Sequence, residues 1–295
     1  MLSVLIPVYN YQCGTLVATI HKQLIASSLD FEIICLDDAS KLYTSENRIA
    51  ANLTHTTYHI SPTNLGRIAA RQHLANVAKY DWLLFLDADV LPKSEQFIVN
   101  YLNVIPKNME VIYGGFDYHN KRPDHHQTLR WKYGKAKEKV SAIKRNASPY
   151  KVVISANFLI KKAVFLDINS QVHSKGYGYD NYFGAILKTK NSKVLHIDNE
   201  VFHLGIEDNV VYLNKIKQAV ETLYHLHKTS KIETSENDLL ELFKTLKTYK
   251  FHVVFAQCYN WFRKSFEKQL TGKNPSITLL QFYKLSYICY LDRAI

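Results

Sequence analysis

Glycine and proline are scarce in this chain, with 10 and 7 copies among 295 residues. That scarcity argues against a long flexible or proline-rich linker. Cysteine is thinner still. Cys13, Cys35, Cys258 and Cys289 show no CxxC spacing, so no disulfide framework or zinc ribbon is read, and free thiols in a reducing compartment are expected. No stretch approaches the roughly 20 apolar residues that cross a bilayer. No secretory leader is read, because Met1 runs almost directly into a strand-like apolar segment. The expected location is cytoplasmic, either free or on the membrane surface. The sequence also lacks a glycine-rich phosphate loop, a nucleophile elbow and a zinc-binding His/Cys pattern. No internal repeat or low-complexity tract is present.

Positive charge and tyrosine are abundant. The formal net charge is +11, and there are 20 tyrosines. Such a charge admits nucleic acid, an anionic membrane surface or phosphorylated ligands as partners. The lysines are scattered, without the dense basic block of a nucleic-acid arm, so nucleic acid ranks last.

Along the chain, residues 2–8 (LSVLIPV), 31–36 (FEIICL), 58–60 and 82–86 (WLLFL) read as strands. Between them lie a helix carrying Leu16, Ile20 and Leu24, a short polar helix over residues 45–53, and a helix opened by Gly66. Four alternations of buried strand and helix in about 90 residues argue for a mostly parallel sheet with helices on both faces. Further on, strands are expected around Gly114-Gly115 and over residues 157–160 and 193–197. A turn is expected over 162–165, and a helix over 180–188. From Val210 the pattern becomes helical. One apolar face holds Leu213, Ile216, Val220 and Leu223; another holds Phe251, Val254, Phe255, Cys258, Phe262 and Phe266.

Polar residues gather just after the strand ends, where open α/β sheets bind ligands. Asp87-Ala88-Asp89 follows a buried strand, and oxygen ligands so placed suit Mg²⁺ or Mn²⁺ shared with phosphates. A solvated turn explains the same residues. Asp37-Asp38 can accept hydrogen bonds from a base or ribose, or can cap a turn. Arg67 and Arg71 share a face near a helix N-terminus, which suits a diphosphate or an exposed basic surface equally well. Asp180, after Gly176-Tyr177-Gly178-Tyr179, can be a general base or a helix cap. His203 can ligate a metal or serve the structure. His125-His126 is read as surface.

Taken in order, SVLIPVYN, CLDDAS, NLGRIAARQHLA, WLLFLDADVLP, ANFLIKKAVF, GYGYDNYFG and VFHLG resemble the family 2 glycosyltransferases of the GT-A fold. VFHLGIEDN and LRWKYG further resemble a bacterial subgroup linked to surface polysaccharide or lipopolysaccharide synthesis. The resemblance implies an α/β GT-A fold over residues 1–209, with a mostly parallel central sheet flanked by helices. Residues 1–100 would be the nucleotide-binding half and 101–209 the acceptor-binding half, followed by a helical appendage over 210–295. It implies inverting transfer of a sugar from a nucleoside-diphosphate donor, UDP-linked by family habit, to a glycan or lipid-linked acceptor.

The same resemblance assigns roles to residues. Pro7, Tyr9 and Asn10 would line the nucleotide pocket. Asp38 would read the base, with Asp37 beside it. Arg71 would lie near the diphosphate, with Arg67 as helper. Asp87 and Asp89 match the DxD pair that shares a divalent cation, Mn²⁺ or Mg²⁺, with the donor, Asp89 ligating directly. His203 would complete the metal shell, and Asp180 would be the catalytic base. The family's later Glu-Asp pair is Asp180-Asn181 here, so a base expected at position 181 would be lost. DDAS also lacks the glycine common before its serine.

Asn181 keeps open a non-catalytic nucleotide-sugar-binding partner of another transferase. A sugar nucleotidyltransferase ranks lower, because PVYNYQCG carries a single glycine. The segments 121–130 and around Arg145 are expected to select sugar and acceptor. The C-terminal apolar stripe is expected to pack on the transferase domain; peripheral attachment to the inner face of the cell membrane is the other reading.

Overall fold

Period-2 alternation decides how the central strands pack. In β1 (Leu2–Val8), Val4, Ile6 and Val8 join one core, while Leu5 joins the core on the opposite face. β2 (Phe31–Asp37) and β4 (Trp82–Leu86) divide in the same way, Leu84 and Leu86 to one side and Leu83 and Phe85 to the other. A strand buried on both faces needs helices above and below it. The computed structural model describes residues 1–172, 176–232 and 236–294 and supplies both layers.

The main sheet has seven strands in the order β3-β2-β1-β4-β8-β6-β9, completed by β3 (Thr56–Ile60), β6 (Val111–Tyr113), β8 (Asn157–Lys161) and β9 (Val194–His196). Only β8 runs against the others. A smaller sheet orders β5 (Val90–Pro92), β10 (Val201–His203) and β7 (Phe116–Asp117) as β5-β10-β7. The helices up to the end of the sheet are α1 (Gly14–Ala26), α2 (Thr44–Asn47), α3 (Arg67–Val77), α4 (Phe97–Leu102), α5 (Thr128–Tyr133), α6 (Ala142–Asn146), α7 (Lys162–Asn169) and α8 (Asp180–Thr189). α1 and α4 cover one face; α3, α7 and α8 cover the other.

Four helices follow: α9 (Asn209–Lys228), α10 (Asp238–Thr248), α11 (His252–Leu270) and α12 (Ile277–Ala294). They build a third core, in which Leu129 of α5 and Ala185 of α8 are embedded. The first residue of α9 stitches the two regions together: Asn209 accepts from the Leu129 amide at 2.7 Å and donates to the His125 carbonyl at 3.0 Å. The four cysteines are free thiols. Among the described residues, no helix is long and apolar enough to cross a membrane.

Several expectations are corrected. The turn expected over 162–165 is the first half of α7, which starts directly where β8 ends; Phe165 and Ile168 face the core. β5 and β10 are three-residue strands, too short to carry a periodic signal. Arg145 itself is buried, donating to the Ile197 carbonyl at 2.7 Å and to His196, while Glu138 and Val152 on either side of it line a cavity. The stripe from Phe251 to Phe266 packs only in part: Phe255 and Phe266 meet Phe282 of α12, whereas Phe251, Val254 and Phe262 stay exposed, and α11 also buries Ala256, Tyr259 and Leu270.

Candidate active site

The carboxyl ends of β1, β2 and β4 open onto a cleft of about 550 Å³, lined by Pro7, Tyr9, Asp38, Arg67, Asp87 and Asp89. It adjoins a deeper recess of about 170 Å³, lined among others by Asp180, His203, Arg130, Glu138 and Tyr177. Arg67, Asp87, Asp89, Gly205, Glu207 and Lys215 line both. The reversed strand β8 matters here, because it brings Ser155 and Ala156 to the same edge; the Asp87 amide donates to the Ala156 carbonyl at 3.2 Å.

Asp89 and His203 meet through the small sheet. β10 pairs with β5 so that His203 lies opposite Val90, and the Leu204 amide donates to the Asp89 carbonyl at 2.8 Å. His203 Nε2 stands 3.7 Å from Asp89 Oδ2, too far for a hydrogen bond. Its Nδ1 is buried without a partner. Burial pushes the Asp89 carboxyl above its usual range, opposed by His203 and reinforced by Asp87. Burial also pushes the His203 imidazole down, against the pull of Asp89. A buried carboxylate beside a buried imidazole that has a nitrogen without a partner is a donor set that fits a divalent cation. Gly205 belongs to the same arrangement, since a Cβ there would overlap the Asp89 carboxylate.

Asp87 lines the cleft but faces Arg71, whose Nη2 donates to it at 2.5 Å and to the Ser155 carbonyl at 2.9 Å. The structure therefore reverses the expected order of the two arginines. Arg71 is buried and ties Asp87 to Ser155, two residues before β8, whereas Arg67 lines the cleft. Asp37 does not reach the cleft. It is fully buried, accepting from the Ser40 amide at 2.7 Å, the Tyr58 hydroxyl at 2.6 Å and the Thr44 hydroxyl at 3.1 Å. Asp38 does line the cleft, but its two oxygens hold the turn before α3 through the Leu65 and Gly66 amides, at 2.6 and 2.9 Å. Asn10, expected in the nucleotide pocket, is not among the residues lining the cleft; its side-chain oxygen accepts from the Lys41 amide at 2.7 Å.

Asp180 opens α8 and faces the recess. Burial raises its carboxyl above the usual range, opposed by Arg67, Arg71 and a hydrogen bond with Ser155. Asn181 turns the other way. Its side-chain oxygen accepts from Asn237 at 2.9 Å, and its amide donates to the Gly178 carbonyl at 3.3 Å.

Sequence reading reached Arg130 only as the end of the 121–130 segment and did not single out Glu138 or Lys215. Arg130 donates to Glu138 at 2.9 Å and lies over the rings of Tyr118 and Tyr212, at 5.5 and 5.1 Å. Lys215, on α9, pairs with Glu207 and lies 5.7 Å from the Tyr177 ring centre. Their only signal was the basic LRWKYG segment and one lysine on an otherwise ordinary helix. Elsewhere, Asp124, His125 and His126 bring ligand atoms within 4.8 Å of one another, but all three are exposed and Asp124 accepts from the His126 amide.

Residues 3–168 match the family described as Glycosyl transferase family 2, and the chain belongs to that family. A curated relative is an uncharacterized glycosyltransferase of Haemophilus influenzae, 30% identical over 118 residues; the match spans 38% of each chain. Among solved structures, the mannosyltransferase PcManGT of Pyrobaculum calidifontis, in complex with GDP-Man and Mn²⁺, aligns with a TM-score of 0.55 at 12% identity, covering 99% of this chain and 86% of its own. Glucosyl-3-phosphoglycerate synthase of Mycobacterium tuberculosis, in complex with Mn²⁺, UDP and glucosyl-3-phosphoglycerate, aligns at 0.54 and 15%, covering 79% and 80%. S. aureus TarS 1-349 with UDP-GlcNAc aligns at 0.51 and 16%, covering 75% and 65%. The fold is that of the GT-A glycosyltransferases.

Proposed function

We propose that this protein transfers a sugar, with inversion, from a nucleoside-diphosphate donor to a hydroxyl of a glycan or lipid-linked acceptor in cell-surface polysaccharide or lipopolysaccharide synthesis. One observation carries the reading. Asp180, with a carboxyl raised by burial, shares a continuous cleft with Arg67 and the Asp89–His203 pair.

In this reading residues 1–100 hold the donor, Tyr9 and Pro7 flanking the base and Asp38 ordering the turn that presents Arg67. Residues 101–209, together with Lys215, form the acceptor side. Asp89 and His203 would hold Mn²⁺ or Mg²⁺, with Asp87 nearby; when bound, such a cation neutralises charge on the leaving diphosphate. Asp180 takes the proton from the acceptor hydroxyl while that oxygen attacks the anomeric carbon. The bond from that carbon to the diphosphate oxygen breaks on the opposite face, and the nucleoside diphosphate departs. Arg67 and Lys215 stand where they can stabilise the leaving charge. The neighbours' UDP and GDP-Man ligands support a uridine donor first, with guanosine as the comparison.

The test is a donor panel followed by transfer assays on wild type and Asp180→Asn. The variant is expected to bind donor as wild type does and to lose roughly 10²–10⁴-fold in turnover. Normal turnover would remove Asp180 from the base role. Donor binding without turnover in wild type, across a broad acceptor panel, would favour the non-catalytic partner.

A further inference from the structure

We propose that the outer face of α11, with the turn that leads into it, docks on an anionic lipid bilayer. The inner face of α11 is already used: Tyr259 packs among the rings of Tyr283, Tyr287 and Tyr290, with Ala256 and Leu270 buried beside it. The opposite ridge carries Val254 and Trp261, seven residues apart and so on one side of the helix. Phe262 flanks them, and Tyr249 and Phe251 extend the apolar surface across the α10–α11 turn. Tyr249 is 70% exposed and Trp261 69%. Isolated exposed rings are ordinary on a protein surface, but several gathered on one ridge mark an interaction site.

Charge identifies the occupant. Lys250, Lys264 and Lys268 lie on or beside this ridge, and among the described residues none of the three forms an ion pair. Glu267 is the single carboxylate of α11, and it is turned inward, accepting from the Tyr283 hydroxyl at 2.7 Å and facing Lys217 at 3.7 Å. A face of aromatic side chains among unpaired cations matches the boundary between acyl chains and anionic headgroups. A second copy of the chain fits poorly, because a two-fold contact would set the same three lysines against each other. None of these side chains lines the cleft, so the docking proposal stands independently of the transferase reading.

Co-sedimentation of the full chain with phosphatidylcholine vesicles, with and without phosphatidylglycerol, tests it. Binding is expected to the anionic vesicles only, and to weaken as salt rises. Trp261→Ser/Phe262→Ser and, separately, Lys264→Glu/Lys268→Glu should each weaken binding roughly tenfold or more. Both sets lie on the surface, so melting temperature and nucleotide binding should stay as in wild type. Equal binding to neutral and anionic vesicles overturns the proposal, as does wild-type binding by either variant. So does a concentration-dependent dimer, or nucleic-acid retention, that the same substitutions abolish while vesicles bind nothing.

Discussion

Two aspartates show how burial and partners pull a carboxyl in opposite directions. Asp180 is raised above its ordinary range by burial, with Arg67 and Arg71 only partly offsetting it. A general base must be deprotonated, so the acid limb of the kcat/KM profile should fall at a pH above the ordinary aspartate value of 3.8. An acid limb at or below that value would contradict the assignment. Asp117, in β7, goes the other way. Burial raises it, but Lys139 at 2.6 Å, Lys93 at 2.7 Å and the Tyr118 amide bring it down to about 2. Its folded value lies below its ordinary 3.8, so its stabilisation is present above that pH and lost as pH falls through about 2. Asp117→Asn should therefore cost on the order of 2 kcal/mol at neutral pH. The gap from wild type in chemical denaturation should close near pH 2.

Among the elements, α9 does more than extend the chain. It supplies Lys215 to the cleft and Tyr212 to the Arg130 stack. It also backs the turn before Asp180: Gly178 has φ +99° and packs so closely that a Cβ would lie 2.9 Å from the Ala219 Cα. Glycine is needed there both for the left-handed backbone and for the close approach. Gly178→Ala should cost on the order of 1 kcal/mol or more in stability and shift Asp180, lowering kcat more than it weakens donor binding. Steady-state kinetics beside direct nucleotide titration will show the difference. A drop confined to donor affinity would mean that the turn does not position the base.

For the whole molecule, the proposed function couples donor and cation: Asp89 and His203 would hold a cation that would neutralise charge on the donor's diphosphate. UDP should raise the melting temperature with Mn²⁺ present and much less in EDTA, since a ligand that binds only the folded state stabilises it by mass action. An equal UDP-induced rise with and without metal would separate the two sites.

The strands that build the sheet, and the residues at their ends, were legible in the sequence. Burial on both faces writes an apolar run wherever it occurs, and β1 and β4 begin and end where that run does. The family was legible as a resemblance, carried by the order along the chain of segments such as PVYN and DADVLP. Tertiary structure decided what depends on partners distant in sequence. It set Arg67 in the cleft and Arg71 on Asp87, and it buried Asp37 beneath Tyr58. It also brought His203 beside Asp89 through two three-residue strands and left Val254 and Phe262 of α11 facing outward while Phe255 and Phe266 packed inward. Periodicity marks which side of an element is apolar. Whether that side meets a core, a ligand or the outside depends on what packs against it, and no local run of residues encodes that.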